Sequence, residues 1–549
     1  MSNFLNVSAS LTGRKWVGPS IDVDRAALAL AQDTNLPPAL CQILARRGVS
    51  SDDASVFLEP KLADLLPDPR TLKDMELATT RFLDAVKSGQ KIAVFADYDV
   101  DGGTSAALLL TWLRDMGHRA TLYVPDRIDE GYGPNEEAMA ELAKTHDLIV
   151  CVDCGTLSHG PIAAAKGADV IVLDHHLGGE TLPDAVAVVN PNRQDEEGHL
   201  AHLCAAAVVF LMLIDANRVL RENQTKGPDL IAMLDLVALA TVADVAPLIG
   251  VNRALVRQGL RIMGRRERPG LVALGDVARM DAAPTTYHLG FLLGPRVNAG
   301  GRIGQADLGA RLLTTDNPHE AQALAEKLDI LNTERRDIEA SVRAAAMEQA
   351  EDRGFEAPLV WAAGEGWHPG VVGIVASRLK EATNRPAVVI GLEGDEGKGS
   401  GRSINGVDLG ASIQKLAAEG LLVKGGGHKM AAGLTVKRDQ LESAMARLTE
   451  LLAHQGAGDA GPADLKLDGM LMPKAATVEL LEDIDKAGPF GAGAPAPRFA
   501  FPDVEIRFAK RVGGAHVLIL FVLGHSIRRL VRPCWHTAVQ GSIWPAAWK

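Results

Sequence analysis

Asp97, Asp99 and Asp101 follow one short apolar run of the chain, Asp153 follows a second, and the triplet Asp174, His175, His176 follows a third. Asp244 ends a helical apolar run within VADVAP (242–247). Carboxylate oxygens are the ligands of hard cations such as Mg2+ and Mn2+, and Mn2+ also accepts imidazole. Several carboxylates with an imidazole suit a pair of such ions about 3.5–4 Å apart, one carboxylate bridging them. Such a pair lowers the pKa of a water and steadies the attacking and leaving oxygens of an in-line phosphoryl displacement. One Asp after a strand is ordinarily a cap or a turn residue; five such acids with a His-His pair call for a shared purpose. A structural zinc site would show four Cys/His ligands, which this pattern lacks. Cys151 and Cys154 have the spacing of a redox CxxC, but Cys151 falls inside an apolar run, and the expectation is two buried, inert thiols. Gly102 and Gly103 match neither GxGxxG nor a Walker loop, so a tight turn opening a helix is expected there.

These side chains need elements to aim them. Apolar runs at 91–96, 120–124, 148–152 and 170–173 read as strands, and 104–116, 135–145 and 161–166 as helices. Such alternation means βαβ units and a parallel sheet, which binds ligands at the carboxyl ends of its strands. A second α/β region spans 356–454, with strands at 358–362, 387–391 and 433–436 and helices at 371–380, 409–418 and 440–452. Between them, 318–353 reads as one long helix or a pair. Residues 1–85 read as short helices, among them 24–32 and 38–47, that serve packing or substrate clamping. A Gly/Ala/Asp linker (455–464) leads to strands at 498–501, 504–508 and 516–520. Residues 521–549 hold no Asp or Glu and three of the seven tryptophans, Trp535, Trp544 and Trp548. This tail reads as an altered reading frame or a divergent end, and rapid proteolytic trimming near 521 is expected of it.

Composition narrows the class. A chain of 549 residues has room for three or four domains. A net charge of −12 argues against a blanket nucleic-acid coat, though a local basic track is compatible with it. Five cysteines make no disulfide framework, so the cytoplasm is the expected compartment. No apolar run reaches the ~20 residues of a membrane span, and no secretory signal opens the chain.

DYDVDGGTSAA (97–107), VDCG (152–155), DHH (174–176) and VADVAP (242–247) resemble the four motifs of the DHH phosphoesterase superfamily. PRVNAGGRIG (295–304), WHPGVVGI (367–374) and GGGHKMAAG (425–433) narrow the resemblance to the RecJ family of exonucleases, over about 50–520. The resemblance implies a fold and a boundary set: an N-terminal helical appendage (1–85), a parallel-sheet α/β DHH domain (86–315), a linking helix (316–354), a second α/β domain of DHHA1 type (355–455) and a C-terminal OB-like β unit (464–549), atypical after 520. It implies metal ligands Asp97, Asp99, Asp101, Asp153, His175 and Asp244, holding two Mn2+ or Mg2+ ions, with Asp153 and His176 catalytic. Phe95 stands where related phosphoesterases often carry a further histidine. Arg296, Asn298, Arg302, Arg402, Gly426, Gly427 and His428 are the expected phosphate contacts: guanidinium forks match phosphate oxygens and glycines let backbone N–H groups approach. The implied activity is metal-dependent 5′-to-3′ hydrolysis of single-stranded DNA to 5′-mononucleotides in repair and recombination. A single-strand DNA-binding protein and a helicase are the implied partners. The alternative is a DHH phosphoesterase acting on short oligonucleotides or cyclic dinucleotides. A non-enzymatic scaffold would be expected to have lost metal carboxylates that this chain keeps.

Overall fold

A computed structural model describes residues 3–10, 12–127, 129–458, 461, 463–502, 504–512, 516–523 and 526–528. After a two-residue strand β1 (Trp16–Val17), the first sheet is built from β2 (Ile92–Ala96), β3 (Ala120–Tyr123), β4 (Leu148–Val152), β5 (Asp169–Leu173) and β6 (Ala187–Val189), all parallel, in the order β3-β2-β4-β5-β6. Every residue of β2 and β4 is buried, the pattern of strands covered on both faces. The register pairs Ala96 with Val152 and Val152 with Leu173. Asp97, Asp153 and Asp174 therefore leave the sheet side by side. Strand order reverses between β2 and β4, which is where doubly wound sheets open a crevice for ligands.

One face of this sheet carries the helices Met75–Lys87, Val100–Asp115 and Ala205–Glu222 in a single core, with the Phe82 and Trp112 rings 5.3 Å apart. The boundary expected at 85 thus falls inside a helix that belongs to the first domain, because Met75, Ala78, Phe82 and Ala85 form one apolar stripe against it. The helices Leu234–Ala243 and Gly250–Met263 pack beside them, and Gly259 lets the two close: a Cβ there would lie 2.2 Å from the Leu234 carbonyl oxygen. A π-helix (His288–Leu293) runs into the helix Gly294–Ile303. A single helix, Pro318–Arg353, then spans 36 residues, capped by Asn317.

The second sheet comprises β7 (Val360–Glu365), β8 (Ala387–Glu393), β9 (Glu396–Arg402), β10 (Lys424–His428) and β11 (Ala431–Lys437), in the order β10-β11-β9-β8-β7, parallel between β7 and β8 and antiparallel elsewhere. Glycine hid two of these strands from the periodicity reading. In β9, Gly397, Gly399 and Gly401 face Ile390 and Leu409, and a Cβ on any of them would approach within 2.8 Å of these side chains. The run Gly425–Gly427 is the edge strand of a hairpin rather than a free loop.

The N-terminal segment meets the C-terminal unit. β12 (Leu465–Lys466) pairs parallel with β1, and β13 (Gly469–Met470) with β14 (Phe499–Ala500). Helices Ile21–Thr34 and Pro38–Arg46 share a core with Ile484, Ala487 and Phe499, so this part of 1–85 completes the C-terminal unit instead of standing apart. β15 (Glu505–Val512), β16 (His516–Leu523) and β17 (Ser526–Arg528) form an antiparallel meander. Of the tail expected to be atypical, 521–523 and 526–528 pair as the ends of this meander, while Trp535, Trp544, Trp548 and the rest of that expectation lie outside the described residues. No helix among the described residues is long and apolar enough to cross a membrane.

Buried Arg253 ties the first domain to the N-terminal segment and the C-terminal unit: its guanidinium donates to the carbonyls of Phe57, Ala487, Gly488 and Pro489 and lies 3.8 Å from the Phe57 ring centre. Arg253→Ala leaves these acceptors unpaired and should cost about 1–3 kcal/mol. Hydrogen exchange will show faster opening of 484–494 with the first sheet unchanged; unchanged protection there would show that the carbonyls find other donors.

Candidate active site

From the end of β2 the chain turns through Asp97 and Tyr98 into Val100–Asp115. Asp99 caps this helix, its Oδ1 accepting from the N–H groups of Asp101 (2.8 Å) and Gly102 (3.2 Å). The turn is closed by glycine on two sides: a Cβ would lie 2.3 Å from the Asp97 carbonyl oxygen at Gly102 and 2.7 Å from that of Tyr98 at Gly301. Asn298 Oδ1 accepts from the Val100 N–H at 3.0 Å. Its amide thus positions the acidic turn, a different role from the phosphate contact expected for it.

Asp153 follows β4 with φ +61°, a left-handed conformation that costs a non-glycine residue about 1–3 kcal/mol and gathers at functional sites. Its Oδ1 lies 3.2 Å from His175 Nε2, which is 3.6 Å from Asp101 Oδ2. Asp101 accepts from the N–H groups of Ala205 (2.7 Å) and Ala206 (2.8 Å) at a helix N-terminus, where the dipole favours an anion. Asp244 ends Leu234–Ala243 with its Oδ2 3.9 Å from His175 Nδ1. The next residue, β-branched Val245, also has φ +61°. Three overlapping sets each bring their ligand atoms within 4.8 Å of one another: Asp97, Asp99 and Asp153; Asp101, His175 and Asp244; Asp153, His175 and His176. All the expected metal ligands therefore converge, with Asp153 and His175 each shared between two sets.

Asp174 faces away from this cluster and serves as its brace. It accepts from the Thr156 hydroxyl (2.7 Å), the His175 N–H (2.7 Å) and His176 Nδ1 (2.8 Å). Asn190 donates to the Thr156 hydroxyl and the His176 carbonyl, both at 2.8 Å, and Asn192 to the His175 carbonyl at 2.6 Å. The Tyr132 hydroxyl donates to the Asp153 carbonyl at 2.9 Å and lies 3.1 Å from His176 Nε2. Sequence reasoning missed Tyr132, Asn190 and Asn192. The two asparagines follow β6, whose three residues carry no readable period, and Tyr132 lies in a segment with no strand or helix signal.

The expected phosphate contacts divide. The charge of Arg127, a residue the sequence reading passed over, acts on both Arg302 and Arg402. None of the three has an ion-pair partner among the described residues: Arg302 donates to the Gly370 carbonyl (3.1 Å), Arg402 to the Ser400 hydroxyl (3.0 Å), and Arg127 lies over the Tyr98 ring at 5.0 Å. Arg296 is taken up structurally, donating to Asp329 and to the Leu292 carbonyl, both at 2.8 Å, which ties its helix to Pro318–Arg353. Gly426, Gly427 and His428 lie on the β10–β11 hairpin, and no hydrogen bond links them to the metal-ligand candidates among the described residues. Gly427 has φ +150° with a Cβ position 2.3 Å from the Ala431 carbonyl oxygen, so backbone packing requires it.

Comparison with known proteins accounts for this combination. The DHH family N-terminal domain matches residues 91–241, the DHHA1 domain 356–454 and the RecJ OB domain 467–538. The single-stranded-DNA-specific exonuclease RecJ of Dickeya dadantii is 39% identical over 507 residues, 88% of this chain and 87% of that protein. The chain belongs to the RecJ family. Its fold matches the crystal structure of RecJ from Thermus thermophilus in complex with Mn2+ at a TM-score of 0.79 and 29% identity, covering 97% of this chain and 75% of that one. The Mg2+ complex of the same protein matches at a TM-score of 0.72 and 27% identity, covering 97% and 74%.

The electrostatics of this RecJ-family site call for cations. Asp97 Oδ1, Asp153 Oδ1 and His175 Nε2 are buried without a hydrogen-bond partner, a costly arrangement unless a cation completes it. Burial first, then the neighbouring carboxylates, pushes Asp97 and Asp153 well above the usual carboxylate range and Asp244 up to about 8. Burial works against the charge of Asp174 too, but the hydrogen bond and charge of His176 outweigh it and hold that carboxyl low. The same pairing outweighs burial at His176 and raises it to about 9. The donor set of hard oxygens plus imidazole fits Mn2+ or Mg2+. Between the unfolded carboxyl pKa near ~3.9 and the folded values, the metal-free folded state binds more protons than the unfolded chain. Its stability therefore falls as pH rises through that window, where metal binding, which needs the carboxylates deprotonated, becomes stronger. Thermal unfolding should show Mn2+ raising the melting temperature more at pH about 8 than at about 5, with chelator reversing the gain. Equal gains at both would mean that the metal binds groups other than these carboxyls.

Proposed function

We propose that this chain is a metal-dependent exonuclease that degrades single-stranded DNA from its 5′ end, releasing 5′-mononucleotides, with two divalent cations between Asp97, Asp99, Asp101, Asp153, His175 and Asp244. The observation that carries the reading is the overlap of three ligand sets on Asp153 and His175 at the carboxyl edge of one sheet. A shared carboxylate is what a bridged pair of ions needs. Mn2+ or Mg2+, when bound, supplies Lewis acidity and a lowered pKa for the hydrolytic water.

The chain's own groups do the rest. Asp174 holds His176 protonated and fixes its ring through Nδ1, and Nε2, 3.1 Å from the Tyr132 hydroxyl, is the nitrogen that would orient a phosphate oxygen or hand a proton to the departing 3′ oxygen. Tyr132 holds that ring and the Asp153 backbone together. Arg127 repels both Arg302 and Arg402, with Asp99 offsetting part of the effect at Arg302. Burial and then Arg127 lower both Arg302, to about 10, and Arg402. An anion between them relieves that repulsion, and guanidinium forks suit a phosphate. A 5′-terminal phosphate seated there would present the next phosphodiester to the acids, which supports both the polarity and the mononucleotide product. The arrangement suits work in the cytoplasm on single strands arising in repair and recombination, with a single-strand DNA-binding protein and a helicase as partners. Short oligonucleotides or cyclic dinucleotides are the alternative substrates.

The test uses Mn2+, a single-stranded oligonucleotide labelled at its 3′ end, a duplex control and Asp153→Ala. Progressive shortening from the 5′ end of single strands alone is expected, slowed about 100-fold or more in the variant, since even the loss of an outer partner of a metal ligand costs about 10–100-fold. Preferential hydrolysis of dinucleotides would move the assignment to the small-substrate alternative.

A further inference from the structure

Arg127 and Tyr132 stand on either side of Glu130, whose carboxylate accepts from the Tyr123 hydroxyl (2.6 Å), the Asp126 N–H (2.7 Å) and the Asn135 amide (3.1 Å). Both reach Tyr98, which lies in the acidic turn between Asp97 and Asp99. The Arg127 guanidinium is 5.0 Å from the Tyr98 ring centre. The Tyr98 and Tyr132 rings meet edge-on, centres 6.4 Å apart and planes at 80°. Tyr132 in turn meets the His176 ring, centres 5.5 Å apart and planes at 68°. At this end the Tyr132 hydroxyl gives its proton to the Asp153 carbonyl, so it accepts from His176 Nε2, 3.1 Å away, while Nδ1 of that ring belongs to Asp174. At the other end a charge is left over. Arg127 has no ion-pair partner among the described residues, and its charge acts on Arg302, Arg402 and His368.

We propose that Tyr132 is a positioning residue that sets His176 for cleavage when a 5′-terminal phosphate occupies the arginine-lined space, the contacts Arg127–Tyr98–Tyr132–His176 carrying the link. The proposal rests on the nuclease reading of the metal cluster and of that space. A ring face holds a guanidinium weakly, whereas a phosphate holds it by charge-assisted, bidentate hydrogen bonds. A phosphate on Arg127 therefore draws the guanidinium away from Tyr98. The main chain at Tyr98 has little freedom, since a Cβ at Gly301 would lie 2.7 Å from its carbonyl oxygen, so the change passes to the neighbouring ring. Tyr132 is 53% exposed and has room to move. Coupling between two sites needs an element with two arrangements, and Tyr132 is that element. Its hydroxyl is the partner of the nitrogen that addresses the departing 3′ oxygen, and a misplacement of about 1 Å at a reacting centre costs about 100-fold. A strand ending in a 5′ hydroxyl binds through its other phosphates and is cut slowly. Each hydrolysis joins a water oxygen to phosphorus, breaks the P–O3′ bond and leaves the proton on O3′. The shortened strand then carries a new 5′ phosphate, which refills the seat.

Two measurements on the full-length protein test this. The first is Mn2+-dependent hydrolysis of a 3′-labelled oligothymidylate carrying either a 5′ phosphate or a 5′ hydroxyl. In the wild type the 5′ phosphate is expected to lower KM and to raise kcat about tenfold or more. Tyr132→Phe, which keeps the ring and loses the hydroxyl, should keep the KM difference and lose the kcat difference. Tyr98→Leu should do the same, and Tyr98→Phe, which keeps the ring face, should behave as the wild type. Arg127→Gln should lose the kcat difference and most of the KM difference. If Tyr132→Phe slows both substrates by one factor, or if the wild-type kcat is the same for both ends, the link is overturned and Tyr132 is a structural brace alone. The second measurement needs no hydrolysis. The chain has four tyrosines, so isotope labels on their rings give few magnetic-resonance signals, assigned through the Phe variants. In EDTA, inorganic phosphate should shift the Tyr98 and Tyr132 signals, and in Tyr98→Leu the Tyr132 signal should stay in place. An unmoved Tyr132 signal in the wild type, or a moving one in Tyr98→Leu, would overturn the route. Shifts as expected with no hydrolysis by the wild-type protein would refute the nuclease reading and leave the link standing.

Discussion

Carboxylates crowded into a buried space repel one another, and here Asp97, Asp99, Asp101, Asp153 and Asp244 share one edge of one sheet with His175 among them. Burial alone favours their protonated forms, and several ligand atoms there have no hydrogen-bond partner. Proteins tolerate such a centre when a cation repays the desolvation and the surrounding structure holds the groups in place. Much of the first domain answers that second need. Asp174 gives its acceptor capacity to Thr156 and the two histidines, and Asn190 and Asn192 fix the carbonyls that follow it. A helix N-terminus holds Asp101 in its charged geometry. Left-handed backbone at Asp153 and Val245 is the strain that remains.

The same logic explains why glycines cluster around the acidic turn. Gly102 and Gly301 lie where a Cβ would strike the Asp97 and Tyr98 carbonyls, so the helix of the first motif and that of PRVNAGGRIG close on the turn from opposite sides. Asn298, from the second of these helices, pairs the Val100 N–H. The long helix Pro318–Arg353 carries this framework to the second domain: Arg296 is tied to its Asp329, and Arg302 meets the Gly370 carbonyl at the head of Pro369–Thr383. The arginine-lined space and the metal edge are thereby held by one continuous scaffold.

The N-terminal helices and the C-terminal unit are joined to each other and to the first domain. A core shared by N-terminal helices with Ile484, Ala487 and Phe499 makes the C-terminal unit depend on residues more than 400 positions away, and Arg253 fastens both to the first domain. Thr286 and Phe490 meet beside the π-helix.

The sequence by itself determined the strand-and-helix alternation around the acids and the helical span 318–353, though not that it is one helix, and it put Asp97, Asp153 and Asp174 at the sheet edge, because a residue that ends an apolar strand is placed there by period alone. Strands β9 and β10 escaped that reading, since their glycines replace the side chains from which a period is read, and what they pack against lies on other elements. The apolar run ending at Asp244 reads as helical and is the helix Leu234–Ala243, while the other helices between Ala205 and Thr314 went unread. Only the tertiary structure decided which arginines are free. Arg296 and Arg302 sit six residues apart in one glycine-rich motif, yet Asp329 neutralises the first and none of the described acids pairs with the second. A side chain's partner depends on what long-range packing brings within a few ångströms, and sequence spacing within a motif does not record it.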